Sequence, residues 1–131
     1  MTLGQRVRKI ATWGLQALLA VAFLSIGFGK FGDASWERSF VRWGYPAGSH
    51  LVVGGIEMAG GALLLVPRLS TYGALMLATV MLGAMATHAM AGQSPWRPAP
   101  HLVLLLLLAW LRWPSRWRRR APNVAGAHEA V

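Results

Sequence analysis

Ala11 to Gly29 runs nineteen residues without a charged side chain, and three more long apolar stretches follow it. At about 1.5 Å per helical residue, nineteen residues nearly cover a hydrocarbon core of about 30 Å. In such a solvent every backbone N–H and C=O must find its partner inside the protein, which leaves helices or a closed barrel. A barrel strand alternates apolar and polar residues, and these runs do not, so the sequence predicts helices.

The second stretch, Gly48 to Val66, carries one charge, Glu57, and ends at Pro67-Arg68, where proline cannot continue a helical ladder. The third, Thr71 to Ala91, contains His88; the fourth, about Pro98 to Trp113, is leucine-dense, short and flanked by arginine and tryptophan. The expected architecture is all-α: an integral membrane four-helix bundle over residues 11–114, with spans at about 11–29, 48–66, 71–91 and 98–113. Residues 1–10 form a basic cytoplasmic segment, and residues 115–131 a basic and then disordered cytoplasmic tail. Arg6, Arg8 and Lys9 precede the first run as a signal peptide's basic region would. Its end, Ser25 to Lys30, offers no clear small-x-small cleavage site, so the helix reads as a retained anchor.

Composition agrees with lipid as the main solvent. Hydrophobic residues are 55% of the 131, charged residues 13%, and mean hydropathy is +0.43. The net charge of +9 sits in short stretches beside apolar runs rather than along a soluble face, which argues against a nucleic-acid partner. With four spans, nine of the thirteen Lys and Arg fall on the side of the termini, and Lys30, Arg38, Arg42 and Arg97 on the other. The positive-inside rule makes the nine-charge side cytoplasmic, where the tail Arg116 to Arg120 is expected to set topology, with binding to acidic lipid head groups as the alternative. No cysteine is present, so no disulfide, thiolate nucleophile or thiolate metal site can form.

Between the first two spans, Trp36, Phe40 and Trp43 recur at i, i+4 and i+7 among Glu37, Arg38 and Arg42. This spacing predicts a short amphipathic helix on the outer leaflet, N-capped by Asp33, serving as an interfacial anchor or as a lid.

Glu57 is the residue that most needs a reason, because a carboxylate at mid-span costs about 2.5–3.5 kcal/mol on insertion scales. His50, Gly54, Glu57 and Gly61 share one helical face, a strip of small residues that admits another helix closely. Ala74, Ala78, Met81, Met85 and His88 form a similar strip on the third span, and packing of the second span on the third follows. In this topology His50, His88, His101 and Lys30 lie toward the outer face, with Glu57 about 10 Å deeper. The expectation is an outward-opening polar cavity floored by Glu57, with Glu57, His88 and Lys30 as ligand-binding or proton-relay candidates and His50 and His101 behind them. The alternative is that each histidine meets the interface separately and Glu57 merely fixes register. The histidine spacing forms no contiguous ligand motif, so no metal is assigned. There is no nucleophile elbow, phosphate loop or haem-attachment motif, and catalytic residues stay unassigned.

Gly29-Lys30-Phe31, Phe40 with Trp43-Gly44-Tyr45-Pro46, Gly55 to Arg68, and Met81 through Thr87-His88 resemble the DoxX-like family of small integral membrane proteins, over roughly residues 13 to 112. The resemblance implies a four-helix membrane bundle in the bacterial inner membrane, with Lys30, Glu57 and His88 as matched positions; His50 and His101 lie outside that pattern. Some members are named for a thiosulfate:quinone oxidoreductase, others are linked to oxidative or thiol stress, and a distant branch resembles receptor-assembly chaperones.

Two functions are therefore expected to compete. One is an accessory membrane subunit of a quinone- or thiol-linked redox system, whose cavity takes a quinone or similar amphiphile and whose electrons pass through a redox partner protein. The other is a non-enzymatic scaffold or chaperone whose small-residue faces hold another membrane protein or a second copy in a homodimer.

Overall fold

The computed structural model describes residues 1–114; the tail expected over 115–131, with Arg116 to Arg120, lies outside the described residues. Those described residues form five helices and no strand: α1 (Leu3–Gly32), α2 (Ala34–Arg42), α3 (Ser49–Leu65), α4 (Ser70–Met90) and α5 (Ala99–Leu111). Two of them, α1 and α4, are long and apolar enough to cross a membrane, while α3 and α5 are shorter apolar helices.

Helix α1 begins earlier than the apolar run. Thr2 accepts from the backbone N–H of Gln5 while the Gln5 side chain accepts from the Thr2 N–H. This reciprocal cap adds two turns that carry Arg6, Arg8 and Lys9. At 30 residues the helix is about 45 Å long, and the 13-residue α5 only about 20 Å.

Asp33 separates α1 from α2, capping the latter by accepting from the Ser35 N–H at 2.8 Å. The turn from α2 into α3 needs two left-handed residues, and glycine fills both, Gly44 at φ +93° and Gly48 at φ +88°. Val66 is extended before Pro67, which ends α3 where the sequence placed the stop.

Helix α3 lies between α1 and α4, α5 packs on α4, and α1 meets α5 more sparsely. The shared core contains Leu19 and Phe23 of α1, Leu64 of α3, Leu77 of α4, and Leu105 and Leu108 of α5, each no more than 1% exposed. Large apolar side chains such as Leu18, Val21, Phe28, Leu82, Val103 and Leu106 point outward instead. That pattern belongs to a protein whose surroundings are apolar.

The glycines of α3 divide between its two neighbours. Gly54 and Gly61 face α1, where Gly27 and Ala20 approach, and Gly60 faces Leu77 and Gly73 of α4. The Glu57 strip therefore packs on α1, rather than on α4 as its spacing suggested; α4 meets the adjacent face.

Candidate functional site

Gly27 and Lys30 are one turn apart on α1, as are Gly54 and Glu57 on α3. The two glycines let the backbones touch: a Cβ on Gly27 would stand 2.6 Å from the Gly54 carbonyl. The helices are antiparallel, so Lys30 lies one turn to one side of this contact and Glu57 one turn to the other. The two long side chains meet across it, with Lys30 Nζ 2.6 Å from Glu57 Oε2. The pair is 5% and 4% exposed. Glu57 lies eight residues, about 12 Å, from either end of α3. Both charges are thus neutralised within the protein, and the ammonium gains a second partner, the Trp36 ring of α2, at 4.3 Å.

The pair forms part of the wall of a cavity of about 410 Å³. Trp36 and Phe40 of α2 and Trp43 just after it cover one side with Tyr45 beside them, and Val53 of α3 and Val80 and Met81 of α4 supply aliphatic surface. His88 of α4 and Arg97, Pro98 and His101 at the start of α5 complete it. Phe40 packs on Trp43 at 5.3 Å and on Tyr45 at 5.6 Å, and Trp43 sets its edge against His88 at 5.4 Å. This α2 cover is tied to α4 by Tyr45 and Thr87, whose oxygens are 2.6 Å apart. Thr87 gives its one proton to the Gly83 carbonyl, so the Tyr45 hydroxyl is the donor to Thr87.

Four of the five residues singled out in the sequence lie on the cavity wall: Lys30, Glu57, His88 and His101. His88 Nδ1 stands 2.9 Å from Gln93 Oε1, an atom that only accepts, so Nδ1 carries the proton. His101 sets its edge against Phe23 at 5.8 Å. His50 does not reach the wall: it is buried against Phe40, and its Nδ1 has no partner among the described residues. Sequence reasoning missed Tyr45, Thr87 and Arg97. Among the described residues, no group of three His, Asp or Glu side chains is placed to hold a metal.

A model of the DoxX-like family matches residues 14–111. The chain belongs to the DoxX-like family. Family and hydropathy together make it a membrane protein. No curated protein and no solved structure matches it. The DoxX-like match spans the whole cavity wall, from Ile26 to His101.

The end of the molecule opposite α2 is built differently. Arg112 donates through Nε to Gln16 Oε1 at 2.9 Å, lies over the Trp13 ring at 4.7 Å, and its carbonyl accepts from Thr71. Arg8 in turn lies over Trp110. Gln16 Nε2 and Arg112 Nη2 are buried donors without an acceptor among the described residues. No feature of the DoxX-like cavity extends to them.

Proposed function

We propose that α1, α3, α4 and α5 cross the bacterial inner membrane as a four-helix bundle with both termini cytoplasmic. In this arrangement α2 rests on the outer surface, and the cavity beneath it holds the head group of a quinone or similar amphiphile. The protein then acts as an accessory membrane subunit of a quinone- or thiol-linked redox system. The observation that carries this reading is the Lys30–Glu57 pair, a buried donor and acceptor in the wall of an otherwise aromatic and aliphatic cavity. Such walls fit a flat apolar ring, and a few convergent polar groups fit its oxygen substituents. Lys30, Glu57 and His88 can bond those oxygens and pass protons; electrons must come from a partner or a bound cofactor.

The nine-against-four division of Lys and Arg supports the orientation. The scaffold alternative, with a second copy or another membrane protein as partner, rested on the glycine strips. Gly27, Gly54, Gly60, Gly61 and Gly73 are in close contact inside this chain, so a partner would have to use other faces, such as those of Gly29, Gly55 and Gly83, where a Cβ would meet nothing within 4 Å.

The test is titration of the protein in lipid nanodiscs with a short-chain ubiquinone and a menaquinone, read by quenching of tryptophan fluorescence. Trp36 and Trp43, as wall residues, should be quenched saturably. Glu57→Gln should alter the redox phenotype in native membranes. Absence of saturable quenching, alone and with native neighbours, together with an unchanged Glu57→Gln phenotype, defeats the proposal.

A further inference from the structure

The Lys30–Glu57 pair does not consume all of its own hydrogen-bonding capacity. Glu57 Oε2 accepts from Lys30, but Oε1 has no partner among the described residues. Nor is Oε1 sealed away, since the buried side-chain atoms without a partner are Gln16 Nε2, His50 Nδ1 and Arg112 Nη2. Glu57 forms part of the cavity wall, which is where an unsealed Oε1 can be met. Lys30 has three N–H donors. One serves Glu57 and the Trp36 ring covers another side, so a donor also remains beside that acceptor. A ligand approaching the pair meets one acceptor and one donor side by side.

We infer that the cavity selects amphiphiles bearing a ring hydroxyl, so that a quinol binds more tightly than its quinone. This rests on the amphiphile reading of the cavity given above. A hydroxyl answers both groups at once, donating to Glu57 Oε1 and accepting from Lys30 Nζ. A quinone carbonyl can only accept; it satisfies Lys30 and sets a lone pair against Glu57 Oε1. Leaving a buried acceptor unmet is the costlier side of hydrogen bonding, and sites built around a hydroxyl discriminate strongly against analogues that lack it. The bound hydroxyl keeps its proton, and no bond breaks. The expected preference is about tenfold or more in Kd. A tenfold preference raises the midpoint potential of a bound two-electron couple by about 30 mV.

The experiment compares three short-chain ligands with the same ring on the full chain in nanodiscs under anaerobic conditions: the ubiquinol, the ubiquinone and the ubiquinol dimethyl ether. The ubiquinol should bind at least about tenfold more tightly than the other two, with the ether as weak as the quinone despite its reduced ring. Glu57→Gln, with its amide oxygen kept on Lys30, turns an N–H toward the cavity, and the preference should vanish or reverse. Equal binding of all three ligands, tighter binding of the quinone, or a tenfold preference surviving in Glu57→Gln overturns the inference while leaving the amphiphile site standing. If none of the three binds, the amphiphile reading falls and the inference falls with it. The ether comparison uses the wild-type chain, so it decides the matter even where Glu57→Gln fails to fold.

Discussion

Replacing Gly27 by alanine tests whether the close approach of α1 and α3 is what brings Lys30 to Glu57. A Cβ at Gly27 would meet the Gly54 carbonyl at 2.6 Å and the Met58 backbone nitrogen at 3.0 Å. Ordinary contact begins at 3.4 Å, so the tighter of these falls about 0.8 Å short. Both obstacles are backbone, which cannot rotate aside, so the helices must separate. Overpacking of this kind costs about 1–3 kcal/mol. Alanine also favours helix over glycine by up to about 1 kcal/mol, which would hide part of the loss. Gly29 on the same helix removes that ambiguity, because a Cβ there meets nothing within 4 Å. The propensity gain cancels between the two alanines, and Gly27→Ala should be less stable than Gly29→Ala by about 1–3 kcal/mol. Equilibrium unfolding in mixed micelles with increasing SDS, followed by circular dichroism, measures that difference. If Gly27→Ala proves as stable as Gly29→Ala, the glycine contact does not set the helix spacing, and the account of how the ion pair is positioned fails.

Removing one partner of the buried pair should be far worse than removing both. Lys30→Met or Glu57→Met alone should cost about 3–5 kcal/mol in the same unfolding assay, whereas the double variant should return to about wild-type stability or above it. Additive losses would mean that the two charges are not each other's compensation. Tyr45→Phe deletes the donor to Thr87 but leaves the Thr87 bond to Gly83, so it should cost about 1 kcal/mol and increase iodide quenching of tryptophan as the α2 cover loosens. Unchanged quenching would show that this bond does not hold the cover. Hydrogen bonds from Ser35, side chain first and then backbone, hold the Asp33 carboxyl below its ordinary value of 3.8. Its capping of α2 is complete above that value and is lost as the pH falls through the lower folded value. Asp33→Ala should therefore increase hydrogen exchange in α2 at neutral pH, and that excess over wild type should shrink at the acid end; an excess independent of pH would refute the cap's role.

The positions of the long helices were legible because length and hydropathy are local properties. The apolar runs, the stop at Pro67, the Asp33 cap and the aromatic stripe of α2 could all be read from consecutive residues. Partnership was not legible in the same way. A 3.6-residue period shows that Gly54, Glu57 and Gly61 share a face, but it does not say which helix lies against that face, and here α1 took the place expected of α4. Lys30 and Glu57 each stood out as charges, yet their pairing across 27 residues depends on the crossing at Gly27 and Gly54. Tyr45 and Thr87 stood in the stretches that carry the family resemblance, but nothing local pointed to their pairing 42 positions apart. His50, the weaker candidate, lies against Phe40 because rotation about the helix axis, which depth along the helix does not give, decides what a ring touches. Gln16 escaped notice because the first run was defined by the absence of charge, and an uncharged amide passes that filter.

The contrast between the two ends also bears on what the molecule can do with a ligand. Near α2 the helices enclose a cavity, and the Lys30–Glu57 pair forms part of its wall. Below that pair, Leu19, Phe23, Leu64, Leu77, Leu105 and Leu108 are packed to within 1% of complete burial. Beyond this layer the polar groups of the far end turn on one another, Arg112 on Gln16 and Trp13 and Arg8 on Trp110, with no described cavity joining them to Glu57. Close-packed aliphatic side chains offer neither hydrogen-bond partners nor space for water, so a proton or a solute reaching Glu57 from the α2 side has no onward polar route through this layer. A pocket floored by such a layer suits reversible binding and local proton exchange at one face, whereas a transporter working by alternating access needs its site to open to both.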